Sequence, residues 1–473
     1  MLFNSLTFVV FFALVLALHQ APLSWRTKKI NLLLASYLFY AAWNPLFTLL
    51  LWLSTAVDWW VAKWLYREQR LGRRRGLLAI SVLVNLGLLG YFKYGGFLLE
   101  NFQALAAALG FSYQPAQWSI VLPVGISFYT FQTMAYSLDV YLRRAAPARS
   151  LLDFSLFVTF FPQLVAGPIV RPTDLIPQFA TPRVANRAQL RWGLALITLG
   201  LFNKIVLADG LLAPAADAVF KATEALHPLD AWLGTLAFSG QIFFDFAGYS
   251  TTAIGTALCL GFSLPDNFRY PYAAIGFSDF WRRWHISLSS WLRDYLYVPL
   301  GGNRKGNWRT IANLMTTMLL GGLWHGANWT FVVWGGLHGL YLAVERGLSA
   351  GFGGLAIWRH WASRLLLGLL TYFLVNITWV FFRAQDFATA WRLLGSMLGL
   401  GSPGKPLLAT IDMVLVGLVI GGMLVIHALM RDRQLHAVVA ATPRVVVGVV
   451  WGCLLWLILI TQGQSNAFIY FQF

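Results

Sequence analysis

The chain has 473 residues, 58% of them hydrophobic and only 11% charged. A soluble domain carries about 25% charged residues, so a soluble globular protein is excluded, and a disordered chain would need far lower hydrophobicity. The net charge of +17 would suit a nucleic-acid binder if the basic residues shared a surface, but they sit in short loops between apolar runs, which is the pattern of membrane orientation.

The 22 Trp, 17 Tyr and 36 Phe fit aromatic belts at two membrane interfaces. An outer-membrane barrel would show alternating segments of about 10 residues, whereas these apolar runs are continuous and longer. The composition therefore implies an all-α polytopic membrane protein. Its first run, 3–19, has no positive charge before it and no small-residue cleavage site after it. It reads as a retained span rather than a signal peptide. Further spans are expected at 30–45, 46–64, 77–99, 119–142, 191–208, 231–262, 310–327, 329–345, 363–382, 409–430 and 445–462, judged against the roughly 20 apolar residues that cross a bilayer. Only the Asn44-Pro45 turn signal separates the second from the third.

Two apolar stretches make poor spans. The stretch 151–170 contains Pro162, Gln163, Gly167 and Pro168, and 276–300 contains Arg282, Arg283, Arg293 and His285. Both read as re-entrant or interfacial helices, because broken backbone at membrane depth must be covered by protein or line a water-filled cavity. No linker divides the chain, so residues 1–473 read as one membrane domain. No fixed-period repeat is visible, which weakens a secondary-transporter reading.

With the N-terminus outside and the spans alternating, 29 of the 35 Lys and Arg residues fall in inside loops. The exceptions are Lys93, Lys204, Lys221, Arg383, Arg392 and Lys405. The reverse orientation would violate the positive-inside rule. Both termini are therefore expected outside and the loop 263–309 inside. Cys259 and Cys453 lie in apolar stretches and read as small core hydrophobes.

Ionisable groups are costly inside a bilayer, so each is a functional candidate. Asp58, Lys93, Asp139, Lys204, Asp245, His285, His325 and His338 lie in or beside spans. His325 ends an apolar run flanked by Gly321, Gly322 and Gly326, and reads either as a general base or as a hydrogen-bonded packing histidine. His285 sits among Arg282, Arg283 and Arg293 with Trp281, Trp284 and Trp291 nearby. That segment is either an interfacial helix with snorkelling arginines or the mouth of a pocket for an anionic donor. Asp245 needs a buried partner and reads as a polar clamp or a catalytic carboxylate. His338 reads as packing or as support for the site. The chain has no P-loop, no G-x-S-x-G elbow, no H-E-x-x-H and no dinucleotide glycine fingerprint. Without a nucleophile motif, histidine-assisted direct transfer is the simpler chemistry.

Several stretches together resemble the membrane-bound O-acyltransferase (MBOAT) family, in its bacterial alginate O-acetylation branch. They are Phe-Phe-Pro-Gln-Leu-Val-Ala-Gly-Pro-Ile (160–169), Phe-Asp-Phe-Ala-Gly-Tyr-Ser (244–250) and Asn-Phe-Arg-Tyr-Pro-Tyr (267–272). The others are the Trp-Arg-Arg-Trp-His segment (280–297), Gly-Leu-Trp-His-Gly-Ala (322–327) and the terminal Phe-Ile-Tyr-Phe-Gln-Phe. The resemblance implies a ring of about 11–12 transmembrane helices, with re-entrant helices, around a central tunnel. It implies that His325 is catalytic and His285 is the second motif histidine. Further candidates for substrate or donor contact are Arg282, Arg283, Arg293, Asp245, Tyr249, Trp324, Asn328 and His338. The implied donor is a cytoplasmic thioester, acetyl-CoA, with no bound cofactor and no metal. The implied partners are a periplasmic SGNH-hydrolase-like acetyltransferase, a polysaccharide acceptor and membrane lipid, at the bacterial inner membrane and without nucleic acid. A related branch takes a D-alanyl group from a carrier protein. Acetylation of cellulose or peptidoglycan, D-alanyl transfer, and a transporter or flippase without group transfer stay open.

Overall fold

The computed structural model describes residues 1–115, 121–400, 404 and 406–461, the side chain of Arg359 excepted. The terminal Phe-Ile-Tyr-Phe-Gln-Phe match, the C-terminal end of the chain, Lys405 and the first two positions of the expected 119–142 span lie outside the described residues. Among the described residues there is no β-strand. The twelve expected spans fall on the helices Leu6–Gln20, Trp25–Ala41, Thr48–Arg67, Leu71–Leu89, Ile126–Tyr141, Arg187–Leu201, Pro228–Cys259, Asn307–His325, Trp329–Phe352, Trp361–Arg383, Thr410–Met430 and Arg444–Thr461.

Among the described residues, six helical stretches are long and apolar enough to cross a bilayer by composition alone: Pro45–Arg67, Leu71–Ala108, Arg187–Lys221, Trp361–Arg383, Thr410–Met430 and Arg444–Thr461. Other helices are shorter or direct polar side chains into protein. Ile126–Tyr141 is buried almost throughout, with Gln132, Thr133, Ser137 and Asp139 inside. The Asn44-Pro45 break is real: Asn44 Oδ1 accepts from the Leu46 amide at 3.0 Å and caps the turn that starts the next helix.

The chain packs as two units, Met1–Leu194 with Ala253–Pro265, and Ala195–Thr252 with the described residues from Asp266 onward. The first unit is held by a polar cluster around Asp58. Its carboxylate accepts from Ser81, from Ser137 at 2.6 Å and from Asn85 Nδ2 at 2.7 Å. Asn85 Oδ1 in turn accepts from Ser54 and Thr133. Donors from two neighbouring helices thus satisfy one buried carboxylate, which otherwise would be prohibitively desolvated. The stretch 151–170 is also buried here, as two short helices, Leu151–Thr159 and Phe161–Leu164, followed by extended chain. Its apolar content reflects burial in protein, which is why prolines are tolerated in it.

In the second unit the helices Asn307–His325 and Trp329–Phe352 form a hairpin whose backbones touch. A Cβ on Gly322 would lie 2.2 Å from Phe331 O, and one on Gly335 would lie 2.2 Å from Met318 O. Only glycine permits that approach. The stretch 276–300 is two seven-residue helices, Phe277–Arg283 and Ile286–Leu292, broken at Trp284-His285 and followed by a π-turn at Arg293–Tyr297. Cys259 is buried as expected, but Cys453 is exposed. Its helix, Arg444–Thr461, buries only Ile458, so an apolar run there marks an outward, lipid-type surface rather than a core.

Candidate active site

Both histidines of the two motifs meet in the second unit. His325 is the last residue of its helix and is buried. Its ring lies edge-on to Trp324 and Trp334, each at 5.0 Å between centroids, and to Phe382 at 5.3 Å. His285 is fully buried, and its ring centroid is 6.4 Å from that of His325. Phe246 contacts His285 at 4.6 Å, and Trp324 lies against both imidazoles. Two imidazoles this close, walled by aromatic carbon, suit a small reacting group and exclude bulk water.

The break between the two short helices places His285. Its φ is +42°, a left-handed conformation that L-residues other than Asn, Asp and Gly rarely adopt. Two backbone bonds hold it, from the Ile286 amide to Asn267 O and from the Arg269 amide to Arg283 O, both at 2.9 Å. The side chain of Asn267 also reaches the ring: its Oδ1 lies 3.1 Å from His285 Nδ1. Asn267 was not among the sequence candidates, although it opens the quoted 267–272 match. Nothing in the sequence marks it, because its partner His285 lies 18 residues further along the chain.

His338 stands one layer back. Its ring stacks on Phe280 at 5.8 Å and touches Trp281 and Trp334. Thr378 Oγ1 donates its hydrogen to Val375 O, so its 3.0 Å contact with His338 Nε2 is a bond that the imidazole donates. His338 therefore braces Trp334, which in turn faces His325.

Asp245 is paired rather than presented to the imidazoles. Lys204 Nζ lies 2.9 Å from Asp245 Oδ1 and 2.9 Å from Asp209 Oδ1, all three side chains being buried. The π-helical stretch Phe202–Leu212 brings residues five apart onto one face, which aligns Lys204 with Asp209. Gly200 and Gly248 bring the facing helices together: a Cβ on Gly200 would sit 2.5 Å from Gly248 O. The next residue after Asp245 is Phe246, so one helix supplies an ion pair and a wall of the histidine site. Tyr249, one turn beyond, is buried on the Asp245 side.

The three arginines separate. Arg283 is buried and spent within the fold: Nε donates to Asp279 Oδ1 at 3.0 Å, Nη1 to Arg431 O at 2.7 Å and Nη2 to Asp432 Oδ1 at 3.3 Å. Arg282 is turned outward, its side chain 71% exposed against 10% for Arg283. Arg293 is also exposed and pairs with Asp294 at 2.7 Å. Burial pushes the Asp279 carboxyl up, but bonds from Arg431, the Ile275 amide and Arg283 outweigh it and hold its pKa below the ordinary carboxylate value. Glu345 accepts from the amides of Phe277 and Ser278 and so caps the helix that carries these arginines. Asn328 shapes the hairpin turn, accepting from the Thr330 amide at 3.0 Å and donating to Gln385 O at 2.9 Å. Among the described residues, no group of three or more His, Cys, Asp or Glu side chains could hold a metal ion.

The sequence profile of MBOAT, the membrane-bound O-acyltransferase family, matches residues 145–368, which include both histidines. The chain is 42% identical over 407 residues to a probable alginate O-acetylase of Azotobacter vinelandii, covering 85% of this chain and 79% of that protein. It is 38% identical over 398 residues to a peptidoglycan O-acetyltransferase of Helicobacter pylori, covering 79% and 74%. It is 31% identical over 241 residues to a teichoic acid D-alanyltransferase of Streptococcus thermophilus, covering 47% and 56%. Identity sustained across most of both chains, on an all-helical scaffold with several apolar spans, assigns the chain to the membrane-bound O-acyltransferase family as a multi-pass membrane acyltransferase.

Proposed function

We propose that the protein passes an acetyl group from cytoplasmic acetyl-CoA across the bacterial inner membrane for O-acetylation of a secreted or envelope polysaccharide such as alginate. The acetyl group is handed to a periplasmic SGNH-hydrolase-like acetyltransferase, and both termini face the periplasm. The observation that carries this reading is the pair of buried imidazoles, His285 and His325, 6.4 Å apart within aromatic walls, in a chain similar to proteins named for O-acetylation.

The chemistry follows from the separation of donor and acceptor. A coenzyme bearing phosphates cannot cross hydrocarbon cheaply, whereas an acetyl group is small and neutral. His325 acts as general base: its ring takes the proton of the acceptor hydroxyl while the hydroxyl oxygen bonds to the thioester carbonyl carbon. The C–S bond then breaks, and the imidazolium returns its proton to the thiolate. His285 contacts the same reacting group from the other side. Outside the aromatic walls, Arg282 and Arg293 attract the donor's phosphates.

Purified protein should consume acetyl-CoA in the presence of its periplasmic partner. His325→Ala should reduce this by about 10²–10⁴-fold, the usual contribution of a general base, with insertion and folding retained. Normal polymer acetylation in a strain carrying His325→Ala overturns the proposal. Movement of polymer or acyl group without thioester consumption would favour a transporter instead.

A further inference from the structure

We propose that Asn267 is a positioning residue that fixes the tautomer of His285, keeping the ring proton on Nδ1 and making Nε2 the basic nitrogen. The inference rests on the reading of His285 as part of the reacting pair.

One donor at Asn267 has no choice of partner atom. The Ser287 backbone N–H lies 3.2 Å from the Asn267 side-chain atom assigned as Oδ1. An N–H only donates, so the facing atom must be the carbonyl oxygen and not the amide nitrogen. Ser287 Oγ donates to the same oxygen at 2.9 Å. On the other side, Asn267 Nδ2 donates to Ser250 Oγ at 3.1 Å, a hydroxyl able to accept in the orientation that the Ser287 N–H requires. That same Oδ1 lies 3.1 Å from His285 Nδ1. An amide oxygen only accepts, so Nδ1 carries the hydrogen, and a neutral imidazole has one N–H. Nε2 therefore bears the lone pair. The other tautomer would set two lone pairs against each other at hydrogen-bond distance, in a buried place where water cannot intervene.

Asn267 also acts through its backbone. Its carbonyl accepts from the Ile286 amide at 2.9 Å and so helps to hold His285 in its left-handed conformation. One residue thus sets both the backbone and the proton of His285. With Nε2 basic, His285 accepts a hydrogen bond or a proton from the reacting group rather than donating one. An orienting hydrogen bond to the far nitrogen of a functional histidine is a general means of choosing which nitrogen reacts.

Nitrogen-15 NMR of histidine-labelled protein tests this, because protonated and bare ring nitrogens resonate far apart. The signals lost in His285→Gln identify His285. The wild type should show the proton on Nδ1, and Asn267→Asp, which keeps the accepting oxygen, should retain it. Asn267→Leu, which removes the acceptor at similar volume, should release it and lower kcat by about 10–100-fold, the usual effect of losing an orienting partner, with KM for acetyl-CoA unchanged. A proton on Nε2 in the wild type overturns the proposal. So does wild-type kcat in Asn267→Leu when His285→Gln is inactive. Normal turnover by folded His285→Gln would instead defeat the reading of His285 as a reacting group, while its spectrum still assigns the wild-type signal and decides the tautomer.

Discussion

Adjacent arginines in one motif have opposite roles. Arg283 is enclosed by Asp279, Asp432 and two carbonyls, whereas Arg282 points outward. Reversing the charge at Arg282 should raise KM for acetyl-CoA, with the increase shrinking at high salt, and should leave thermal stability unchanged. Arg283→Glu should instead place a carboxylate beside Asp279 and break a buried network, which typically costs about 3–5 kcal/mol. Detergent-solubilised Arg283→Glu protein should unfold at lower temperature. Equal effects of the two changes on donor KM would refute the division. The sequence shows two arginines at consecutive positions. It does not show that Arg431, 148 residues away, supplies the carbonyl that occupies one of them.

Backbone contact governs the element that ends in His325. An added methyl at Gly335 meets the Met318 carbonyl at 2.2 Å, whereas one at Gly336 meets only the end of Leu319 at 3.4 Å. Gly335→Ala should therefore destabilise by about 1–3 kcal/mol, the range for overpacking, and Gly336→Ala should be near neutral. Thermal unfolding of the two variants side by side checks this, and equal melting temperatures would remove the close contact from the account. Much at this scale is legible in the sequence. The Asn44-Pro45 break and the broken 276–300 segment both follow from turn residues and interrupted apolar runs, whereas the helix expected to run through 327 ends at His325. What is not legible is which distant partners the polar residues find. Asp245 announces a need for a counter-charge, but Lys204 becomes that partner only because Gly200 and Gly248 let two helices touch. Asn267 likewise shows nothing in isolation, since its work depends on a chain reversal that returns His285 to it. Cys453 is exposed rather than buried because apolarity means burial in water-soluble cores but outward exposure in a bilayer.

For the whole molecule the orientation is the large-scale expectation. Cysteines introduced singly at Leu2, Thr223, Asn303 and Gln472, with Cys259 and Cys453 removed, give four positions for labelling by an impermeant reagent. Labels from outside should reach 2, 223 and 472 but not 303. Labelling at 303 but not at 223 would invert the orientation and remove the cytoplasmic donor side. Failure at 472 alone would mean an odd number of crossings, with the donor side unchanged.

The left-handed backbone at His285 is a cost borne by any residue there that carries a Cβ. Glycine adopts that conformation without strain, while alanine pays roughly 1–2 kcal/mol for it. Replacing His285 by Gly and by Ala removes the same ring, so the difference between them reports the backbone alone. His285→Gly should melt above His285→Ala by that margin, and both should be inactive; equal melting would mean that the loop relaxes around the substitution. Among variants that have already lost the imidazole, a library sorted for thermal survival would thus retain glycine over alanine at this position.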